Sequence, residues 1–135
     1  MEPRPLYLAD LMTGVFAALA MRQVRSVPLQ SGRFERAFAK LAGDVQHEAT
    51  QANLLPRFRL KVHAVHGDSP AIHEAVYEAA KRDLVSLDNP EFQSITLKLS
   101  PEDATHFLED LPGNPRMYER LAEKIVDYYD QAVAP

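Results

Sequence analysis

The chain has 135 residues, of which 46% are hydrophobic and 25% are charged, as is ordinary for one globular domain with a substantial core. It contains no cysteine, so disulfides and thiolate chemistry are excluded, and a reducing compartment such as the cytoplasm is favoured. The net charge of −4 is unevenly distributed: residues 1–63 carry nine Lys and Arg against five Asp and Glu, and residues 64–135 carry six against fourteen. Either the basic first half and the acidic second half attract each other within the fold, or the basic surface serves a partner.

The first predicted element is an amphipathic helix that follows a loose lead-in over residues 1–5. Its apolar positions recur at helical spacing. They are Leu8, Leu11, Met12, Val15, Phe16 and Leu19. The apolar run of residues 11–21 is too short to span a membrane, and Glu2 and Asp10 offset the basic start that a signal peptide needs. We therefore expect no contact with a membrane.

A loop from Arg22 is expected to lead to a second helix, which Ser31 can cap. The inward positions of this helix are Phe34, Ala37, Phe38 and Leu41, and the outward ones are Arg33, Arg36 and Lys40. Gly43 is expected to end it. Residues 43–53 are polar and fit either a third helix or a long loop.

A strict alternation of apolar and basic residues then predicts a half-buried strand over residues 57–64. The apolar positions are Phe58, Leu60, Val62 and Ala64, and the basic ones are Arg57, Arg59, Lys61 and His63. Basic side chains on one strand face lie about 6.6 Å apart and can contact successive phosphates. We assign these four residues, together with Arg33, Arg36 and Lys40, as the candidate nucleic-acid-binding set, which Arg22 and Arg25 can widen. A solvated face that pairs with the acidic half is the alternative.

The next elements are a helix and a hairpin. The sequence Gly67-Asp68-Ser69-Pro70 marks a turn and a helix start, with Ser69 as the cap. The inner face of this helix carries Ile72, Val76, Ala79 and Ala80. Residues 84–87 form a short β run, residues 88–91 a turn, and Ile95, Leu97 and Leu99 alternate again.

Two further helices are predicted at the end of the chain. The first begins with the capping-box sequence Ser100-Pro101-Glu102-Asp103. Its inner face is Ala104, Phe107, Leu108 and Leu111. The second begins at Asn114 and Pro115. Its inner face is Tyr118, Leu121, Ala122, Ile125, Val126 and Tyr129.

Other chemistry has weaker support in the sequence. Candidate metal ligands are His63, His66, Asp68, His73 and Glu74. However, His63 and His66 face opposite sides of a regular strand, so surface histidines are the simpler interpretation. Ser69 is better explained as a helix cap than as a nucleophile. Since the chain also lacks a phosphate-binding glycine loop or a dinucleotide fingerprint, we assign no catalytic residue, metal or cofactor.

The order of these elements resembles a winged helix-turn-helix domain over Leu8 to Ser100. In this comparison residues 70–82 correspond to the recognition helix and residues 84–99 to the wing. The segment HGDSPAIHEAVYEAAKRDLVSL is also similar to the glycine turn, helix and strand of Panacea antitoxin-type domains. The resemblance implies an α+β fold, with helices packed on a small three-stranded antiparallel sheet, and a regulatory function. Glu74 and Glu78 depart from the family pattern, because carboxylates on a recognition helix repel phosphate.

The leading prediction is a single-domain, cytoplasmic, non-enzymatic module that regulates by binding nucleic acid through its basic face. The alternative is a protein-interaction module such as an immunity, antitoxin or adaptor-like subunit. A small metal-dependent hydrolase is the third interpretation. A homodimer is compatible with each of them.

Overall fold

The computed structural model describes residues 2–28, 33–58, 70–87 and 94–133, and within them the chain forms six helices and five short strands. The helices are α1 (Leu8–Met21), α2 (Arg33–Ala39), α3 (Ala42–Gln51), α4 (Pro70–Lys81), α5 (Pro101–Asp110) and α6 (Pro115–Val133). The strands are β1 (Arg4–Leu6), β2 (Ser26–Pro28), β3 (Leu54–Pro56), β4 (Val85–Ser86) and β5 (Ser94–Leu97). The protein is thus a mixed α and β fold.

The strands form two sheets. Strands β2, β5 and β4 make a three-stranded antiparallel sheet with β5 in the centre, in which Val27 lies opposite Ile95 and Val85 opposite Leu97. These four side chains are buried, so one face of the sheet packs on the core. The predicted pairing of the two hairpin strands and the presence of a three-stranded antiparallel sheet are therefore confirmed, but the third described strand is β2, in a segment predicted as a loop. Strands β1 and β3 form a separate parallel pair.

Helix α1 is the centre of the core. Every residue from Leu11 to Ala20 is buried, and α1 packs against α4, α5 and α6. The predicted inward positions are correct, but the prediction of an amphipathic helix is wrong. Small residues such as Gly14 and Ala17 occupy the opposite side and are buried as well. A helix that is apolar all round belongs inside a protein rather than on its surface.

The contact between α1 and α6 depends on Gly14 and Tyr118. Tyr118 is fully buried, and its hydroxyl donates to the backbone oxygen of Pro112 at 2.5 Å. A Cβ atom at Gly14 would overlap the aromatic ring, with the ring Cγ only 2.7 Å away. The missing side chain of Gly14 is therefore what lets the ring lie against α1.

Helices α2 and α3 follow one another almost directly. The predicted inward residues Phe34, Ala37, Phe38 and Leu41 are buried. Gly43 does not end the second helix, because α2 already ends at Ala39 and Gly43 lies in the first turn of α3. The segment left open between helix and loop is thus a helix, which buries Val45 and Ala49.

Two segments that the sequence predicts as irregular are strands. β1 includes part of the expected lead-in, and β2 lies within the expected loop after the first helix. Both are only three residues long, and each depends on a distant partner, β3 for β1 and β5 for β2. Local alternation over three residues is too short to indicate a strand.

The last three helices begin where the sequence predicts. Helix α4 starts at Pro70 and buries Ile72. The Ser100 hydroxyl accepts the Asp103 N–H at 3.1 Å at the start of α5, and the Asn114 side-chain oxygen accepts the Met117 N–H at 3.0 Å at the start of α6. Two corrections concern inner faces. Phe107 is exposed, because α5 packs inward through Ala104 and Leu108, and Met117 joins the buried face of α6.

Candidate nucleic-acid interface

The predicted basic strand is only partly within the described residues. The observed strand β3 ends at Pro56, so the strand predicted over residues 57–64 does not begin at its expected position. Arg57 follows β3 and is exposed, and its N–H donates to the backbone oxygen of Leu6 at 2.9 Å. Arg59, Lys61 and His63 lie outside the described residues. The prediction of a four-residue basic row is therefore neither confirmed nor contradicted beyond Arg57.

The remaining predicted residues belong to the second helix. Arg33 is the first residue of α2, and its side chain lies outside the described part of the structure. Arg36 and Lys40 are exposed along α2 and at its end. Lys40 directly follows α2 and Arg57 directly follows β3, so α3 and β3 separate the two residues in the chain.

Five exposed cations of the first half share one property. None of five such residues forms an ion pair or a side-chain hydrogen bond with any described residue. They are Arg4, Arg22, Arg25, Lys40 and Arg57, and all five are exposed. No described carboxylate therefore forms an ion pair with any of these five cations.

Several cations of the second half are engaged instead. Lys81 pairs with Glu78 of the same helix at 3.3 Å, and Lys98 pairs with Asp83. Arg82 donates to the hydroxyl of Thr13. Thr13 is buried in α1 and in turn donates to the Ala9 backbone oxygen at 2.8 Å, so Arg82 satisfies a polar group of the core.

The polar contacts between α3 and α6 use two carboxylates of the first half. Arg120 of α6 donates to both carboxylate oxygens of Glu48 of α3, at 2.7 and 3.0 Å. Tyr128 of α6 donates to Asp44 of α3 at 2.6 Å, and this hydrogen bond raises the pKa of the Tyr128 phenol. Two of the five carboxylates of residues 1–63 are thus already occupied by α6.

This arrangement bears on the alternative that the two halves attract each other. Among the described residues, one ion pair joins them, and it is between Glu48 of the first half and Arg120 of the second. In this pair the carboxylate belongs to the basic first half and the cation to the acidic second half. Neutralisation of the basic first half by the acidic second half would require the reverse. The internal pairing therefore increases the positive character of the first half.

An exposed aromatic residue and an exposed apolar residue lie in and beside the β1–β3 sheet, at the end where Arg57 follows β3. Leu6 and Leu54 point into the core, and the register pairs Pro5 with Leu55 on the opposite face. Leu55 is 42% exposed, and Tyr7, which directly follows β1 and precedes α1, is 54% exposed. The sequence reasoning missed both residues, because their proximity depends on parallel pairing between segments about fifty residues apart.

Helix α4 presents a different kind of surface. The His73 and Tyr77 rings meet edge to face with centroids 4.9 Å apart, and Tyr77 is 43% exposed. Glu74 and Glu78 are exposed on the same helix. An aromatic pair beside two carboxylates is unfavourable for phosphate and suitable for a protein surface.

The candidate metal ligands and the possibility of a membrane-spanning helix can be examined only within the described residues. Of the candidate metal ligands, His63, His66 and Asp68 lie outside the described residues, and the described ones contain no group of three His, Cys, Asp or Glu arranged to hold a metal ion. No helix in the described ranges combines the length and the apolar character needed to cross a membrane.

Comparison with known proteins adds no relative: no family model, no curated protein and no solved structure matches the chain.

Proposed function

We propose that the protein is a cytoplasmic, non-enzymatic regulatory module that binds nucleic acid through the basic surface of its first half. The observation that carries the proposal is the set of five exposed cations without a described anionic partner. Phosphate contacts from Lys and Arg supply most of the affinity of non-specific nucleic-acid binding. Cations already held by carboxylates contribute less, because binding must first break the internal pair.

The order of the elements supports a winged-helix-like arrangement for this module. Helix α4 leads directly into the hairpin of β4 and β5, and β2 completes the antiparallel sheet. In the resemblance described above, α4 would be the recognition helix. Its exposed Glu74 and Glu78 disfavour that role. We therefore assign the phosphate contacts to the first-half cations rather than to α4.

The test is a titration of the purified protein with a labelled random-sequence duplex and a labelled single strand at increasing salt. We expect binding at about 50 mM salt that weakens steeply as salt rises, since counterion release accompanies each phosphate contact. The variant Lys40→Ala/Arg57→Ala should weaken binding and reduce the slope of log affinity against log salt by about 0.9 for each phosphate contact that is lost.

The matched control removes the same number of charges from the second half. Lys98 and Arg120 are held by carboxylates, so Lys98→Ala/Arg120→Ala should change the salt slope much less than the first-half variant. Equal effects of the two variants would show that only net charge matters. Absence of binding to either probe at about 50 mM salt would exclude the proposal, because non-specific attraction is strong at that salt concentration.

A protein-interaction module is the second candidate, and the outer face of α4 favours it. The exposed Tyr77 beside His73 offers an aromatic anchor, and Glu74 and Glu78 supply negative charge around it. Affinity capture with the unmodified protein and with Glu74→Lys/Glu78→Lys tests this candidate. A partner retained by the first and lost with the second would favour it.

A further inference from the structure

At one end of the β1–β3 sheet, an exposed aromatic residue and a cation without an anionic partner among the described residues follow the last pair of the ladder. The ladder ends at the pair of Leu6 and Pro56, which the Arg57 N–H completes by donating to the Leu6 oxygen at 2.9 Å. Tyr7 directly follows Leu6 and Arg57 directly follows Pro56, so both residues lie at this end of the sheet. The backbone of Tyr7 is extended, with φ −94° and ψ 154°, so the alternation of faces continues through it.

We propose that this face binds single-stranded nucleic acid, with an unpaired base stacked on Tyr7 against Leu55 and the adjoining phosphate held by Arg57. The inference rests on the proposed function and specifies its substrate class. Stacking on an exposed aromatic beside a positive groove is the usual way in which proteins hold single strands without reading their sequence. The edge of Leu55 widens the apolar surface available to the base.

Charge distinguishes this face from the other exposed aromatics of the described residues. Tyr77 lies between Glu74 and Glu78 in the sequence of α4, and Phe107 of α5 has Asp103 and Asp110 one turn away on either side. Carboxylates at those distances repel a phosphate backbone. Tyr7 has one carboxylate one turn away, the half-buried Asp10, and it lies at the same end of the sheet as Arg57, a cation without a described anionic partner.

The same geometry selects a single strand over a duplex. The bases of a duplex are stacked on one another, so a ring on a sheet surface has no free base face to cover. A single strand can unstack and place one base on Tyr7. The ring should therefore add affinity only for unpaired bases, whereas Arg57 should add affinity for both forms.

The experiment measures the affinity of the full chain for a labelled oligothymidylate and for a labelled random duplex of equal length. Tyr7→Leu should weaken oligothymidylate binding about tenfold and leave duplex binding unchanged. Tyr7→Phe keeps the ring and should bind like the unmodified protein. Phe107→Leu removes an exposed aromatic elsewhere and serves as the matched control. The Tyr7 side chain makes no capping hydrogen bond to α1, so these changes leave the helix start intact.

The outcomes separate the inference from the function on which it rests. If the unmodified protein binds neither probe at low salt, both are wrong. If it binds with a steep salt dependence but Tyr7→Leu has no effect, or weakens both probes equally, the stacking inference alone is wrong. Thermal unfolding verifies that each variant is folded. If Tyr7→Leu is not folded, Leu55→Ser gives the same comparison, since it removes the apolar edge of the face. An equal change in affinity for the single strand and for the duplex, relative to the unmodified protein, would then overturn the inference.

Discussion

Tyr118 and Tyr7 are the same side chain in opposite surroundings. Tyr118 is fully buried against Gly14 of α1, with its hydroxyl on a backbone oxygen, whereas Tyr7, immediately before α1, is 54% exposed. We therefore expect the region around α1 to have two distinct roles. Its contact with α6 should stabilise the fold, and the exposed sheet face beside its first residue is the binding surface that we propose. Variants should therefore separate stability from affinity.

The largest effect is expected for Tyr118→Ala. Removing a fully buried ring leaves a cavity between α1 and α6, and such changes cost about 3–5 kcal/mol. Chemical denaturation measures the loss, and nucleic-acid affinity per folded molecule should stay unchanged. A loss below about 1 kcal/mol would show that α6 is peripheral to the fold and would remove the contrast with Tyr7.

The next effect is expected for Gly14→Ala. The added methyl group overlaps the Tyr118 ring, and overpacking of this kind costs about 1–3 kcal/mol. Gly43→Ala is the matched control, because Gly43 is also helical and has open space around its missing Cβ, so alanine should stabilise the protein by about 0.5–1 kcal/mol. Denaturation of both variants tests the pair. In a Tyr118→Ala background the cost of Gly14→Ala should largely disappear.

A smaller effect should appear in alkaline solution. Burial raises the pKa of the Tyr118 phenol above its ordinary value, and the nearby Asp10 carboxylate adds to this, while Arg4 opposes it. The unfolded chain then loses the proton first, so the stabilisation is complete below pH of about 10 and declines as pH rises further. Tyr118→Phe has no such proton. Its difference in unfolding free energy from the unmodified protein, about 0.5–1.5 kcal/mol near neutrality, should shrink above that pH.

A difference that stays constant from neutral to strongly alkaline pH would contradict this assignment. It would mean that the phenol of Tyr118 titrates alike in the folded and unfolded chain.

Much of the fold can be predicted from local sequence because the signals are local. The start of α5 follows from Ser100 and that of α6 from Asn114, whose side chains accept backbone N–H groups three residues later. The two ladders that the sequence misses, β1 with β3 and β2 with β5, join segments far apart in the chain. The full burial of α1 was also missed, because periodicity detects large apolar residues, whereas Gly14 is buried by the approach of Tyr118.

The candidate site is predictable to a similar degree. Charge counting finds a basic first half, and Lys40 and Arg57 are exposed as expected. What counting cannot show is which charges are already paired, since the contact of Glu48 with Arg120 joins residues 72 positions apart. The position of Tyr7 relative to Arg57 cannot be predicted either, because the two residues come to one end of the sheet only through the parallel pairing of β1 with β3.

The smallest effect on stability is expected for Tyr7→Ala. The Tyr7 ring is more than half exposed, and its side chain makes no capping hydrogen bond, so the unfolding free energy should change by less than about 0.5 kcal/mol. Binding of a single strand should nevertheless fall about tenfold, because the base loses its stacking surface. Denaturation and oligothymidylate titration of one preparation measure both quantities. A stability loss near that of Tyr118→Ala with unchanged binding would show that Tyr7 serves stability rather than binding. The outer face of the β1–β3 sheet would then be part of the protein's own packing.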